Sequence, residues 1–467
     1  MTMIPQDISK YLSAMQDSFH SGPALGFGEK LSQIREYSNQ LVLLLLREWM
    51  KETDKILAQD PGRKDDWDII RKDGRELLTC FGLLRFERYY YRNKKTGEYA
   101  YLLDRYLGID PYQKVSGEVK QQAVEAAVQA SYSKSGKAAC PEGISRMSVC
   151  NYVGELKHFP QMMPEGERRC VDYVYVEADE DHVALRSGRN AQVKLVYAHE
   201  GVREKGGRQE LVNPRYMTWP LEKASDDLWE EVSTRLEQTY DSALLKGVFL
   251  SGDAAPWIHA GEEWLYPCIP ILDGFHVKKA LRQLFGGRDA LVSAFWRYVR
   301  EDKYQEAQAL CRRVLEESPE SKRAGKARLA NYLLGNWTRI RNRQAPGAQG
   351  CSAEGHVSHI LSERLSSRPR GWSEKNLNNM AQLRVMLANG QAISYAQLTG
   401  KGRHAQKSGH ETAADTLIQD KKLNANLKRN AKNTRKETMY NLPVMNCGTK
   451  SQLYQTLKGI SAGALPC

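Results

Sequence analysis

The chain has 467 residues, with 68 Lys and Arg against 56 Asp and Glu, a formal charge of +12. That length leaves room for several domains that each bury a core and excludes a small disulfide-stapled scaffold. The positive balance points to a polyanionic partner, nucleic acid first. Nine cysteines with no CxxC or CxxH spacing argue for reduced thiols and against a zinc ribbon or disulfide framework. The longest apolar run, Leu41 to Leu46, is too short to cross a bilayer, and the first residues lack the basic and apolar regions of a signal peptide. A soluble, cytoplasmic protein is expected.

In chain order, residues 1–60 read as an N-terminal helical region. Leu31, Ile34, Leu41, Leu45, Trp49 and Ile56 recur at helical spacing, which predicts one helix from Gly28 to about Ala58, ending before Pro61 and Gly62. Residues 61–112 contain LLTCFGLLRFERYYYRNKKTGEYAYLLDRYLGI, apolar and aromatic residues alternating with charged ones around an Asn93–Gly97 turn. The pattern predicts a β-hairpin with a basic tip.

In residues 113–165, two helical patterns, SGEVKQQAVEAAVQASYS and SRMSVCNYVGEL, flank the turn-prone KSGKAACPEG. A short turn before a small helix carrying Arg146, Ser148, Asn151 and Tyr152 fits a helix-turn-helix whose second helix enters the major groove. An ordinary helical hairpin fits the pattern equally.

Residues 166–275 change character. Strands are expected at 172–179, 182–187, 192–199 and 211–219, a helix at 225–240, a strand at 247–252, a short helix near 254–263, and a strand at 266–272 leading into a helix near Phe275. Antiparallel strands followed by strands alternating with helices describe an α/β fold with a mixed sheet of the ribonuclease-H-like kind. In such a sheet Asp179 and Asp253 lie side by side. Residues 276–345 are helical, rich in Ala, Leu, Arg and Lys, with breaks at Gly286–Gly287 and Pro319, and read as an inserted helical subdomain. In residues 346–398, Glu354, Ser358, Leu361 and Leu365 share a face at i, i+4, i+7 and i+11, so Glu354 heads an amphipathic helix packed on the sheet. Residues 399–467 form a basic tail, polar and rich in Lys, Arg and Asn from Lys401 to Lys436, expected to be loosely folded and to contact phosphates.

Three acids on three separated segments carry the chemistry. Asp179 lies in VDYVYVEADEDHV, Asp253 follows GVFLSG, and Glu354 opens a helix after PGAQGCSA. Brought together, they make a carboxylate cluster that needs divalent cations, and oxygen-only ligands suit two Mg²⁺ ions about 3.5–4 Å apart, with Mn²⁺ as substitute. Such a pair runs phosphoryl transfer on nucleic acid. Glu177, Asp179 and Asp181 alternate onto one strand face; Asp179 is favoured as the first acid, with Asp181 assigned to a turn. Asp273 and His276 form a DxxH pair at a strand-to-helix junction, either a helix cap or an aid to the site. Trp257 reads as core or as a platform for an extruded base. A competing metal reading joins His356, His359 and Glu363 on one helix.

The segments VYVEADEDHV, FLSGDAAPWI, LDGFHVKKAL and above all GCSAEGHVSHILSERLSSRPRGWS resemble the ISLre-type insertion-sequence transposases, which are similar to the Mutator-like DDE transposases. The resemblance covers roughly residues 30 to 400. It implies a ribonuclease-H-like catalytic domain, a mainly helical N-terminal DNA-binding region, and a helical insertion before a catalytic Glu. By motif it carries the catalytic acids onto Asp179, Asp253 and Glu354, and an accessory DxxH onto Asp273 and His276. The expected activity is metal-dependent cleavage and joining of DNA at element ends, by a homodimer or larger assembly. The alternatives are a nuclease that hydrolyses without joining and a non-catalytic DNA-binding protein derived from a transposase.

Overall fold

Helical periodicity in the first 60 residues becomes two helices in the structure, a computed structural model that describes residues 6–21, 26–160, 167–367 and 371–400. These are α1 (Gln6–Ser21) and α2 (Phe27–Gln59), followed by α3 (Pro61–Asp66), which Asp60 caps by accepting the Arg63 N–H. The chain divides into two compact units; Cys150–Ser394 with Val128–Ala130 make unit 2, and the other described residues make unit 1.

Unit 1 holds a three-stranded antiparallel sheet of β1 (Trp67–Thr79), β2 (Gly82–Asn93) and β3 (Tyr99–Ala100). The expected hairpin is therefore displaced: its main turn is at Cys80–Phe81, and the Asn93–Gly97 turn links β2 to β3. β1 escaped prediction because Arg71, Lys72, Asp73, Gly74 and Arg75 dilute its apolar content. α2 lays Met50 and Leu57 on Leu84, Phe86 and Tyr91 of this sheet, each burial stabilising by about 1.5–3 kcal/mol. The LLDRYL segment, read as strand, is helix α4 (Leu102–Leu107), ended by Gly108 in the left-handed region at φ 65°. There the buried Asp104 pairs with Arg75 and Arg88.

Next come α5 (Gly117–Gln129), α6 (Tyr132–Ala138) and α7 (Arg146–Glu155). The linker expected between two helices thus contains a third, started by Ser131, whose side chain accepts the Lys134 N–H. The Gly136 carbonyl accepts the Ile144 N–H at 2.8 Å, Gly143 turns the chain at φ 69°, and Ser145 Oγ caps α7 through the Ser148 N–H.

Unit 2 is built on a five-stranded mixed sheet. Its strands are β4 (Tyr173–Ala184), β5 (Asn190–His199), β8 (Arg215–Thr218), β9 (Gly247–Gly252) and β10 (Cys268–Leu272), in the order β10-β9-β4-β5-β8. β4, β5 and β8 pair antiparallel, whereas β9 and β10 run parallel to β4. A small hairpin, β6 (Val202–Lys205) and β7 (Arg208–Leu211), leaves the sheet between β5 and β8. The separate strand expected at 182–187 does not exist: β4 pairs with β5 without interruption through Ala184, so Asp181 is a strand residue and not part of a turn.

One face of β4 (Val174, Val176, Ala178) packs under α8 (Ser225–Thr239), whose Leu228, Val232 and Leu236 fall at i, i+4 and i+8. Helices α9 (Pro256–His259) and α10 (Gly261–Trp264) lie beside them, with Gly261 close enough to the Trp229 ring that a Cβ would collide. After β10 the expected helical block appears as α11 (Gly274–Phe285), α12 (Asp289–Arg300), α13 (Tyr304–Glu316), α14 (Glu320–Gly335) and α15 (Trp337–Arg341). An additional break falls at Glu301–Lys303, where Asp302 has φ 54°. This block has its own core around Leu284, Phe285, Phe295 and Leu333 and joins the sheet through Leu272.

The chain returns as α16 (Ala353–Val357), a π turn (Ser358–Ser362) and α17 (Glu363–Leu365), then α18 (Glu374–Ala388). The π turn breaks the expected register: Leu361 and Leu365 are buried, but Glu354 and Ser358 are exposed. Among the described residues no helix is long and apolar enough to cross a membrane. The basic stretch from Lys401 onward lies outside the described residues.

Candidate active site

Three neighbouring parallel strands bring their acids to one edge of the unit 2 sheet. β9 ends at Gly252, so Asp253 stands at its carboxyl end; β10 ends at Leu272, so Asp273 stands at its own. β4 pairs with β9 as far as Glu177 opposite Ser251, and Asp179 is the next residue on that face. Carboxyl ends of parallel strands are where open α/β sheets place ligands.

Asp179 and Asp253 act on each other. Burial first, and then the charges of Asp253 and Glu180, push the Asp179 carboxyl up to about 6, against lowering by the Glu180 N–H and by His276. Asp253 accepts the Ala255 N–H at 2.9 Å through Oδ1, and its carbonyl accepts the Tyr332 hydroxyl at 2.9 Å. Ala254 follows in the left-handed region, φ 73°, a strained conformation for a residue with a Cβ and one that recurs at functional sites.

Asp273 caps α11 by accepting the His276 N–H, and its Oδ2 also accepts Nδ1 of the same ring at 2.9 Å. Burial opposes ionisation of Asp273, but the His276 bonds outweigh it and hold the carboxyl below its usual range. His276 is raised, chiefly by the Asp273 hydrogen bond and further by the charges of Asp253 and Asp179. The cap reading of the DxxH pair is thus what the structure shows, and the charges of Asp253 and Asp179 reach its histidine.

The opposite face of β4 from α8 carries Tyr173, Tyr175, Glu177, Asp179 and Asp181. Glu177, 2% exposed, accepts the Ser352 N–H at 2.7 Å, the Ser352 hydroxyl, the Cys351 thiol and the Tyr197 hydroxyl on Oε2, and the His199 Nε2–H on Oε1 at 3.2 Å. Burial works against its charge, but these bonds prevail and hold it below the usual range. Farther along, Asp181 Oδ1 accepts the Ser366 hydroxyl at 2.7 Å. The segment 352–366, which contains Glu354, is thereby tied to β4 at both ends.

Glu354 itself is exposed in the first turn of α16, two residues past Ser352. Among the described residues, no three His, Cys, Asp or Glu side chains stand close enough to hold a metal ion as they are oriented. The Asp179–Asp253 pair nevertheless suits Mg²⁺. It is an all-oxygen donor pair, and the charge of Asp253 is one of the causes that raise Asp179, a repulsion that a bound cation would offset.

The sequence pattern of the family described as "Uncharacterised protein family (UPF0236)" matches residues 23–401. The chain belongs to UPF0236. A UPF0236 protein of Caldanaerobacter subterraneus subsp. tengcongensis, named for eleven loci of that genome, is 32% identical over 451 residues, 96% of this chain and 94% of its own length. Another from the same organism, named for four loci, is 32% identical over 434 residues, 92% and 91% of the two chains. A UPF0236 protein of Streptococcus gallolyticus, named for its place in the vanSb 3′ region, is 25% identical over 404 residues, 82% and 84% of the two chains.

In this UPF0236 chain the other predicted site residues fall in different places. Arg146 and Asn151 are exposed on α7, and Ser148 is half-buried with its hydroxyl 3.0 Å from that of Ser145. Trp257 is a core side chain, stacked near Trp229, with its indole N–H on Glu180 at 2.6 Å. His356, His359 and Glu363 do not converge: His356 bonds the Tyr216 hydroxyl, His359 faces solvent, and Glu363 pairs with Arg384. The alternation of Glu177 with Asp179 was visible in the sequence. The partners His199, Tyr197 and Ser352 were not, because they come from another strand and from a loop more than 170 residues away.

Proposed function

We propose that this chain is a DNA transposase of the DDE type, with a ribonuclease-H-like catalytic domain in unit 2. The observation that carries the reading is the Asp179–Asp253 pair on adjacent parallel strands, electrostatically coupled and joined at the same edge by Asp273 and His276. The sheet sets β4, the strand of Asp179, beside β9, the first strand after α8, which is the neighbour relation expected of a ribonuclease-H-like sheet. A relative whose name spans eleven loci of one genome agrees with a mobile sequence present in many copies.

Asp179 and Asp253 would hold Mg²⁺, with Glu354 as the third oxygen donor. When bound, Mg²⁺ offsets charge on the transferred phosphate and lowers the pKa of the attacking water or 3′-hydroxyl. His276, whose Nδ1 is committed to Asp273, has its other ring nitrogen available for a phosphate oxygen. Asp273 fixes the ring orientation, as carboxylate partners of histidine commonly do. α6 and α7 would dock on element ends, with Lys and Arg positioning the backbone and Arg146, Ser148 and Asn151 reading bases. Double-stranded DNA is the partner and the cytoplasm the setting, and two ends require a homodimer or larger assembly.

The test uses Asp253→Asn and Glu354→Gln with a DNA end and a target duplex. Each variant is expected to lose end cleavage and joining by at least about 1,000-fold while binding the end as tightly as wild type. Mg²⁺-dependent joining that survives in the Glu354→Gln protein refutes the reading. Hydrolysis without joining by wild type assigns the chain to the nucleases instead.

A further inference from the structure

The three alternating acids of β4 do different work. Glu177 and Asp181 take hydrogen bonds from Ser352 and Ser366, the two ends of the segment that carries Glu354. Asp179, between them, accepts the N–H of its own neighbour Glu180 at 2.8 Å and is coupled to Asp253. The outer pair therefore attaches the segment to the strand, and the central acid takes no bond from that segment in the contacts just given.

We infer that Glu177 is a positioning residue, a buried carboxylate that acts through Ser352 to set Glu354 with respect to Asp179; this rests on the metal-site reading above. Asp179 lies two residues past Glu177 on the strand, Glu354 lies two residues past Ser352, the residue before α16, and the Glu177–Ser352 bond joins the two segments. A carboxylate at 2% exposure is costly unless its oxygens are satisfied, and an apolar contact would pack the same elements without that cost. What the carboxylate adds is direction. Ser352 N–H, Tyr197 O–H and His199 Nε2–H each bond it along a fixed line, and hydrogen bonds behind the ligands orient metal-binding carboxylates.

The His199 ring explains why charge is dispensable here. Its Nδ1 faces both the N–H and the carbonyl of Gly201 at 3.1 Å, so it can accept or donate there. A glutamine at position 177 would keep one carbonyl oxygen for Ser352 and Tyr197 and turn its amide N–H₂ to Nε2, with the ring proton moved to Nδ1. Glu177→Gln therefore preserves the clamp, whereas Glu177→Ala removes it.

The experiment measures Mn²⁺ binding by electron paramagnetic resonance on the full chain without DNA, with melting curves to confirm folding. Glu177→Gln is expected within about three-fold of wild-type affinity, and Glu177→Ala to lose about 10–100-fold. In a Glu354→Gln background, Glu177→Ala should cost less than two-fold, because its effect passes through Glu354. If Glu177→Ala does not fold, Ser352→Ala removes the hydroxyl arm and should show the same dependence on Glu354 at smaller size.

A Glu177→Gln protein as weak as Asp179→Asn would make Glu177 a ligand itself and overturn the inference. So would a folded Glu177→Ala protein with unchanged affinity, equal losses in both backgrounds, or a wild type that binds no Mn²⁺. Wild-type Mn²⁺ binding with the expected Glu354 dependence but no DNA joining refutes the transposase reading alone.

Discussion

A single carboxylate shows how the candidate site conflicts with the stability of the fold that holds it. Asp179 titrates near 6 against an ordinary value of 3.8, because burial and the neighbouring charge of Asp253 disfavour its ionised form. A raised acid pKa means that the folded state binds the proton more tightly than the unfolded chain. Its penalty is thus fully present above about pH 6 and is relieved as pH falls toward 3.8. Two pKa units correspond to nearly 3 kcal/mol, and partial exposure reduces this to about 1–2 kcal/mol. Asp179→Asn should therefore stabilise the metal-free protein by about 1–2 kcal/mol at pH 7.5 in urea denaturation with chelator, and the gain should vanish by about pH 4. Added Mg²⁺ should raise the stability of wild type but not of the variant. A variant less stable than wild type at every pH would make Asp179 a structural acceptor.

Among elements, those with an uninterrupted local signal were legible in the sequence, and those made by tertiary contacts were not. α2, α8, β9, β10 and the start of α11 fall within a few residues of their predicted bounds, since each has clean periodicity and a turn residue at its end. The charges of β1 mask its pattern, and the acids after Asp179 read as a turn where pairing with β5 carries β4 on through Asp181 to Ala184. The neighbourhood of Asp179 and Asp253 followed from element order alone, while the clamp on Glu177 needed three dimensions. The link between α6 and α7 gives an element-scale test. An alanine in a helix is favoured over glycine by about 1 kcal/mol, but a Cβ on Gly136 would run into the Ile144 carbonyl and the Val149 side chain. Overpacking against backbone outweighs propensity, so Gly136→Ala should destabilise by about 1–3 kcal/mol and weaken binding to DNA ends. Gly325, in α14 with open space at its Cβ, is the control, and Gly325→Ala should stabilise by about 0.5–1 kcal/mol. A neutral Gly136→Ala melt would show that the helices do not approach as closely as described.

For the whole molecule, charge and chemistry are separated along the chain. Asp179, Asp253, Asp273, His276 and Glu354 all precede residue 394 and belong to unit 2. Residues 401–440, outside the described residues, hold ten Lys and Arg against four Asp and Glu, half of the chain's net +12. If the acids perform the chemistry and the basic stretch supplies phosphate contacts, the two properties should part when that stretch is removed. Each phosphate neutralised on duplex DNA contributes about −0.9 to the slope of log K against log salt concentration. Deleting residues 401–440 should therefore make that slope shallower by at least about 2 and weaken binding most at low salt. Joining of an end at saturating DNA should stay within a few-fold of wild type, because no proposed ligand is lost. Binding isotherms between 50 and 300 mM salt, run beside a single-turnover joining assay, separate the two effects. An unchanged slope would assign the polyanion contact to the hairpin and helices of the N-terminal half. Lost joining at saturation with an intact unit 2 melt would show that the basic stretch takes part in the chemistry.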